Sequence, residues 1–164
     1  MISAIVAVDK DWGIGYQGQL LEHLPPDMKY FKELTTNHVV VMGRRTWDSL
    51  PNKPLKDRLN LVITSGERQC GEMTCFIGMA EAMARLAHVD DDEEWFIIGG
   101  GTIYKELLPI CDRVYVTKIE KYHKNIDTYF PNLDKDSNWE VSTCTELRDY
   151  KDIPYAFLTY DRIS

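Results

Sequence analysis

Short apolar runs alternate with amphipathic segments along most of the chain. Residues 39–42 (Val-Val-Val-Met) and 95–98 (Trp-Phe-Ile-Ile) are apolar at every position, which is typical of strands covered on both faces. The pattern predicts strands at residues 2–8, 38–42, 59–63, 73–77, 94–98 and 113–119, and helices at residues 25–35, 44–49, 79–86 and 102–107.

The C-terminal part of the chain has a different pattern. Residues 139–145 and 155–162 flank a polar turn at residues 148–152, which predicts an antiparallel hairpin. We therefore expect an α/β fold, a three-layer sandwich of helices around a mixed, mostly parallel sheet of eight strands that ends in this hairpin. Residues 1–164 contain no linker, repeat or low-complexity segment, so a single domain is expected.

Asp27 is the most informative residue of the predicted first helix. At about 100° per residue it falls on the same stripe as Phe31 and Leu34, which must pack. A carboxylate on such a face is costly unless it is paired, protonated or used in chemistry. An aspartate in a first helical turn also has a structural role to offer, because it favours the positive end of the helix dipole. This segment alone leaves both interpretations open.

Two strand ends share an arrangement that suits anions. Residues 39–48 and 95–104 each run from a buried strand through glycine into a helix start, where free N–H groups attract phosphates. Arg44 and Arg45 oppose the helix dipole unless an anion is bound, although they also fit plain surface arginines. The triple glycine is not a G-x-G-x-x-G motif, so a dinucleotide held from two helix starts is favoured over a standard Rossmann domain.

Composition and the remaining segments narrow the class of protein. The net charge of −7 argues against general binding to nucleic acids or anionic membranes. Residues 9–24 contain three glycines and little periodicity, which predicts a mobile functional loop. No metal-ligand spacing is present, so we expect no metal. Residues 1–8 are typical of a buried strand rather than a signal peptide and no stretch approaches 18 apolar residues, so a cytoplasmic protein is expected. We also expect reduced thiols at Cys70, Cys75, Cys111 and Cys144 and incidental histidines at His23, His38, His88 and His123.

Together these segments resemble the dihydrofolate reductase family over nearly the whole chain. The order and spacing of the shared motifs are specific, and the motifs lie at residues 1–7, 12–15, 24–31, 41–47, 54–58, 98–104, 115–117 and 127–131. The resemblance implies NADPH-dependent reduction of 7,8-dihydrofolate to 5,6,7,8-tetrahydrofolate for one-carbon metabolism. It also implies that antifolate inhibitors bind. The sequence shows no obvious exposed apolar stripe, so a monomer is expected.

The resemblance implies a role for each matching residue. Asp27 would bind the pterin with help from the Thr117 hydroxyl, and Arg58 would grip the carboxylate of the substrate's glutamate tail. The substrate pocket would be lined by Ile5, Val6, Ala7, Met28, Phe31, Leu50, Leu55 and Ile98. The nicotinamide would lie among Ala7, Ile14, Gly15, Leu20 and Tyr104, with Leu20 and Tyr104 counted in the catalytic set.

The same resemblance places the rest of the cofactor on the two strand-glycine-helix segments at residues 39–48 and 95–104, which we call the glycine corners. The phosphates would meet Gly43, Arg44, Arg45 and Thr46 on one side and Gly99, Gly100, Gly101, Thr102 and Ile103 on the other. Thr64, Ser65 and Arg68 would lie near the adenosine end, and the Gly99–Gly100 bond would be cis.

The chain departs from the family pattern at two informative positions. Glu22 stands where the family often has tryptophan, and it either points to water or faces the pocket, where it would raise the proton affinity of Asp27. Ile126 replaces a glycine seen in some relatives, which leaves the coupling of loop 9–24 to Asp127 open.

Two other functions fit parts of the pattern. A pyrimidine reductase of riboflavin synthesis has a similar reductase domain, but Asp27, Arg58 and Thr117 together favour a pterin with a glutamate tail. A non-catalytic folate- or nucleotide-binding module would explain the same corners without turnover. For the enzyme, we expect Asp27 to orient the pterin and raise the basicity of its N5 atom while water delivers the proton.

Overall fold

The computed structural model describes residues 1–163. Two single turns of 3-10 helix lie at Leu108–Ile110 and Leu133–Lys135. The α-helices are α1 (Pro25–Thr35), α2 (Arg44–Ser49), α3 (Met79–Leu86) and α4 (Gly101–Leu107). The strands are β1 (Ile2–Val8), β2 (Gly13–Tyr16), β3 (Gln19–Leu20), β4 (Val39–Gly43), β5 (Leu59–Ile63), β6 (Gln69–Cys70), β7 (Thr74–Ile77), β8 (Trp95–Gly99), β9 (Arg113–Ile119), β10 (Thr128–Tyr129), β11 (Trp139–Cys144), β12 (Arg148–Tyr150) and β13 (Ile153–Arg162).

Ten strands form one sheet in the order β11-β13-β9-β1-β8-β4-β5-β7-β6, with β12 also paired to β13. All pairs from β9 to β7 are parallel, whereas β13 is antiparallel to its neighbours and β6 is antiparallel to β7. The mixed, mostly parallel α/β architecture is therefore confirmed. The sheet has ten strands rather than eight because β6 and β12, of two and three residues, are too short to show a periodicity.

Residues 9–24 are more ordered than the sequence suggests. They contain β2 and β3, which pair with each other and with β10 in a separate three-stranded sheet. The long segment is therefore a hairpin that a distant part of the chain supports.

The two faces of the main sheet carry different side chains. Along β1, Ala4, Val6 and Val8 lie in the larger core cluster, whereas Ile5 lies in the cluster on the opposite face. This follows from the alternation of side chains along a strand. The Val6 side chain therefore packs on the face of the sheet opposite to Ile5, and its place in the substrate pocket stays a prediction.

The expectation that all four cysteines are reduced is also wrong. Cys70 and Cys75 are register partners in the β6–β7 pair and are joined by a disulfide. Cys111 is a buried free thiol and Cys144 is an exposed one. A disulfide across a pair of antiparallel strands has no fixed sequence spacing. The absence of a metal-ligand spacing therefore does not indicate that these cysteines are reduced.

Candidate active site

Asp27 projects from the start of α1 towards the central sheet. Pro25 and Pro26 begin the helix, and the backbone N–H of Asp27 donates to the Leu24 carbonyl at 3.0 Å. The Asp27 carboxylate does not cap the helix; it accepts a hydrogen bond of 2.5 Å from the hydroxyl of Thr117 on β9. Asp27 also lies in the first turn of α1, at the positive end of the helix dipole, so the structural interpretation and the functional one hold together.

The surroundings of Asp27 make its negative charge unfavourable. None of the ion pairs within residues 1–163 involves this carboxylate. Burial raises the pKa of Asp27 above its usual range, and the Thr117 hydrogen bond offsets only part of that rise. Burial and the charge of Asp27 also raise the pKa values of Tyr30 and Tyr104. A ligand that donates hydrogen bonds to this carboxylate would relieve the cost.

An apolar wall lies on the same face of the sheet as Asp27. One packed cluster contains five of the residues predicted to line the pocket: Ile5, Phe31, Leu50, Leu55 and Ile98. Ala7 packs nearby against the cluster that holds Leu24 and Tyr30. Met28 is 51% exposed, so it lies at the open side of this wall.

Arg58 is held in a fixed orientation beside the apolar wall. Its Nε atom donates to the Lys56 carbonyl at 2.8 Å, and its Nη1 atom donates to the Thr35 hydroxyl at 3.1 Å. The guanidinium carbon lies 6.0 Å from the centroid of the Phe31 ring. Burial lowers the pKa of Arg58 from its ordinary value, against the opposing effect of Asp57. The remaining guanidinium N–H groups are left to meet a carboxylate.

The two glycine corners touch each other. A Cβ added to Gly43 would lie 2.8 Å from the Ile103 side chain, and one added to Gly100 would lie 3.4 Å from the Thr46 hydroxyl. This contact arises because β4 and β8 are parallel neighbours, so their carboxyl ends share one edge of the sheet. Neither α2 nor α4 has a side-chain cap, so the N–H groups at both helix starts remain available to an anion.

Tyr104 connects one corner to the central strand. Its hydroxyl donates to the Ile5 carbonyl at 2.7 Å, and its ring lies 3.3 Å from where a Cβ on Gly99 would be. The Gly99–Gly100 bond is cis, which confirms what the resemblance implies. Ile14 and Ile103 are buried with Tyr104 in the larger core cluster.

The arginines differ in how the protein holds them. Arg44 pairs with Asp48 at 3.1 Å and lies over the Phe76 ring, whereas Arg45 is exposed and forms no ion pair within residues 1–163. Arg68 donates to the Gly66 carbonyl at 3.1 Å and lies over Gly78, at the uncapped start of α3.

The strand end at β5 completes this edge. Thr64 accepts a hydrogen bond of 3.0 Å from the N–H of Gly66, while Ser65 and Thr102 are exposed. The α3 start is a third uncapped helix end that the sequence analysis did not single out, although Ile77-Gly78-Met79 repeats the same strand-glycine-helix order.

Loop 9–24 is fastened to the segment that leads into β10. The Asp127 carboxylate accepts from the N–H of Gln17 at 2.9 Å, and the N–H of Asp127 donates to the Gly15 carbonyl at 3.1 Å. Ile126 packs so closely on Gly13 that an added Cβ there would lie 2.6 Å away. The loop is therefore coupled to this segment even though Ile126 replaces a glycine. Leu20, in β3, is 72% exposed.

The family model for dihydrofolate reductase matches residues 1–162. The chain belongs to the dihydrofolate reductase family. It is similar to the dihydrofolate reductase of Bacillus subtilis, at 37% identity over 164 residues, 99% of this chain and 95% of that protein. It is also similar to the Staphylococcus aureus dihydrofolate reductase, at 38% identity over 160 residues, 96% of this chain and 95% of that protein.

The fold is similar to that of a solved dihydrofolate reductase from Enterococcus faecalis, complexed with NADP(H) and RAB-propyl. The TM-score is 0.84 at 35% identity, and the match covers 100% of this chain and 97% of that chain.

Glu22 neither points freely to water nor faces Asp27, because it contacts Lys121 and His123. Its carboxylate accepts from Lys121 Nζ at 2.7 Å and lies 2.9 Å from His123 Nε2, with 16% of the side chain exposed. Burial raises the pKa of Glu22, but the hydrogen bonds from Lys121 and His123 outweigh that effect and lower it overall. His123, expected to be incidental, also contacts Asp9, so sequence reasoning missed a residue that organises the dihydrofolate reductase loop.

Asp27→Asn should stabilise the ligand-free protein at neutral pH. Because the pKa of Asp27 is raised in the folded state, the folded protein binds this proton more tightly than the unfolded chain. Stability from Asp27 is therefore present in acid and lost as the pH rises through the folded pKa, and each tenfold difference in proton affinity is worth about 1.4 kcal/mol. The melting temperature of Asp27→Asn should exceed that of the wild type at pH 7, by a margin that shrinks in acid.

Asp134→Asn is the control of opposite sign. Burial raises the pKa of Asp134, but hydrogen bonds from Lys118 and Tyr160 outweigh this and lower it overall. That variant should melt below the wild type at pH 7. A margin for Asp27→Asn that is negative, or that does not change with pH, would contradict the account.

Proposed function

We propose that this chain is a dihydrofolate reductase that reduces 7,8-dihydrofolate to 5,6,7,8-tetrahydrofolate with NADPH, as a monomer in the cytoplasm. The observation that carries the proposal is the buried Asp27 carboxylate, bonded to Thr117 and without a cation within the described residues. Family membership supports the same activity. None of the helices of residues 1–163 is long and apolar enough to cross a membrane.

Asp27 is the proposed anchor of the pterin. A 2-amino pyrimidine edge presents two adjacent N–H donors, and a carboxylate accepts two parallel hydrogen bonds. Thr117 occupies one lone pair of the carboxylate, which fixes its plane against β9. Ile5, Phe31 and Ile98 provide the apolar surface on which the flat ring lies. The geometry therefore suits a ring that is polar on one edge and apolar on its faces.

Arg58 is the proposed partner of the substrate's glutamate tail. It lies beyond Phe31 from the pterin end, and its Nε and Nη1 atoms are already held by Lys56 and Thr35. A side chain that is fixed before binding loses less entropy when it meets a carboxylate.

The two touching corners fit the phosphates of a dinucleotide. The uncapped starts of α2 and α4 provide free N–H groups, and the glycines leave room for close approach. Arg44 and Arg45 supply positive charge on a chain whose net charge is −7, which suits the additional 2′-phosphate of NADPH. Thr64, Ser65 and Arg68 extend this edge towards the adenosine end.

In the reaction the protein positions the pterin and the cofactor and excludes bulk water. NADPH, when bound, supplies the hydride that reduces the pterin. Asp27 holds the pterin and, through its charge, raises the basicity of N5, while a water molecule delivers the proton. The loop at residues 9–24, fastened through Asp127, covers the nicotinamide side and keeps bulk water away.

Asp27→Asn should lower kcat/KM for dihydrofolate at pH 7 by roughly 10²- to 10⁴-fold. The amide carries no charge and cannot raise the basicity of N5. Part of the rate should therefore return in acid, where dihydrofolate takes up the proton from the solvent. NADPH oxidation with dihydrofolate, followed by absorbance, measures this. An unchanged rate at pH 7 would contradict the role, and faster turnover of a ribityl phosphate pyrimidine would favour the riboflavin alternative.

Arg58→Gln should raise the KM for dihydrofolate by about 10- to 100-fold, the worth of a charge-assisted hydrogen bond. It should leave the dissociation constant for NADPH unchanged and have little effect on a dihydropterin that lacks the glutamate. Thr35→Val is the matched control, because it removes the hydrogen bond that supports Arg58 and keeps the charge. Equal loss for both substrates would contradict the assignment.

Replacing Arg44 and Arg45 together by Gln should weaken NADPH far more than NADH, since only NADPH carries the 2′-phosphate. The expected loss is about ten-fold for each phosphate contact removed. It should shrink at high salt, which screens exposed charges. Arg85→Gln on α3 is the control, because Arg85 is engaged by Glu81 at 3.2 Å. An equal loss for both cofactors would overturn this assignment.

A further inference from the structure

Three groups from distant parts of the chain meet at the base of loop 9–24. Asp9 follows β1, Glu22 precedes α1, and His123 lies between β9 and β10. His123 Nδ1 lies 3.0 Å from Asp9 Oδ2, and His123 Nε2 lies 2.9 Å from Glu22 Oε1. One imidazole ring therefore bridges the two ends of the loop.

The Asp9 carboxylate is fully buried and bonded on every side. Its Oδ1 atom accepts from the N–H groups of Asp11 at 2.9 Å and Gly13 at 2.8 Å. Its Oδ2 atom accepts from the N–H of His123 at 3.2 Å, besides the ring contact. No lysine or arginine within residues 1–163 pairs with it. Any cation that balances Asp9 must therefore be the ring of His123.

The protonation of this bridge follows from counting donors. A neutral imidazole carries one N–H, so it can donate to only one of two carboxylates, and its other nitrogen would oppose the second. An imidazolium donates to both. Because Lys121 pairs with Glu22, an imidazolium gives two cations, Lys121 and His123, for the two carboxylates of Asp9 and Glu22. A neutral ring would leave one of these negative charges uncompensated next to the buried Asp9.

The other charged groups around the bridge are already engaged. Lys10, next to Asp9, pairs with Glu120 at 3.9 Å and lies over the Tyr122 ring. His23, next to Glu22, is exposed. The groups that face His123 are therefore Asp9 and Glu22, with Lys121 balancing Glu22 from the same segment as the ring.

We propose that His123 is a positioning residue that, as an imidazolium bridging Asp9 and Glu22, fastens loop 9–24 over the nicotinamide side of the site. Leu20, in β3, is two residues from Glu22, so the bridge restricts where this strand of the hairpin can lie. The bridge is complete only while both ring nitrogens carry hydrogen, so the fastening loosens when the ring loses a proton. The placement over nicotinamide rests on the proposed function, whereas the bridge itself does not.

Hydrogen exchange of the ligand-free protein tests the bridge without any assay of activity. The amides of residues 13–21, corrected for intrinsic exchange, should lose protection in the wild type when the pH is raised until the His123 ring loses its proton. His123→Asn should lose about ten-fold or more of the protection seen with the protonated ring, the worth of a charge-assisted hydrogen bond. It should also lose the pH dependence, while His23→Asn in the same loop should match the wild type.

Glu22→Gln removes the charge of Glu22 but keeps a hydrogen-bonding partner for the His123 ring. A glutamine amide can donate to the lone pair of a neutral ring whose Nδ1–H donates to Asp9, so the loop should stay protected across the whole pH range. Nitrogen-15 spectra of histidine-labelled wild type should show hydrogen on both ring nitrogens of His123 while the loop is protected.

A neutral His123 ring in the protected loop would overturn the proposal. So would wild-type protection that does not change when the His123 ring loses its proton, or Glu22→Gln that keeps the wild-type pH dependence. These measurements do not depend on turnover, so they test the bridge even if the protein does not reduce dihydrofolate. In the active enzyme, His123→Asn should raise the dissociation constant for NADPH and leave the acid rescue of Asp27→Asn intact.

Discussion

The hydrogen bond between Asp27 and Thr117 is the constraint on which the rest of the site depends. It places a carboxylate, without a cation among the described residues, on a helix face that would otherwise be apolar. Two prolines set where α1 begins, and the alternation of β9 turns Thr117 towards it, in register with Ala7 of β1. The folded state carries the cost of this charge, and a ligand with two parallel donors removes it.

The parallel order of β5-β4-β8-β1 gathers the remaining parts at one edge. Gly43 and Gly100 are far apart in sequence, yet their corners touch because adjacent parallel strands end together. The Tyr104 hydroxyl joins this edge to Ile5 of β1, the strand that also contributes to the apolar wall. Asp127 and the His123 bridge attach loop 9–24 to the segment between β9 and β10.

Much of this could be predicted from local pattern. The bounds of β1, β5, β9 and three of the helices match because continuous apolar runs and helical spacing are local properties. The pattern failed where elements were too short or too uniform. β6 and β12 are too short to show a period, and the apolar run from Ala4 to Val8 in β1 does not show that Val6 faces away from Ile5. The His123 bridge joins residues 114 and 101 positions apart, and no spacing signals such a contact.

Carbon-13 spectra of aspartate-labelled protein test the central claim most directly, because they observe the carboxylate itself. The account predicts one aspartate signal that titrates above the ordinary range, disappears in Asp27→Asn and shifts when folate binds. That signal should not shift when a glutamate peptide without a pterin is added. If the Asp27 signal titrates like an exposed carboxyl group, or is indifferent to folate, the pterin anchor lies elsewhere.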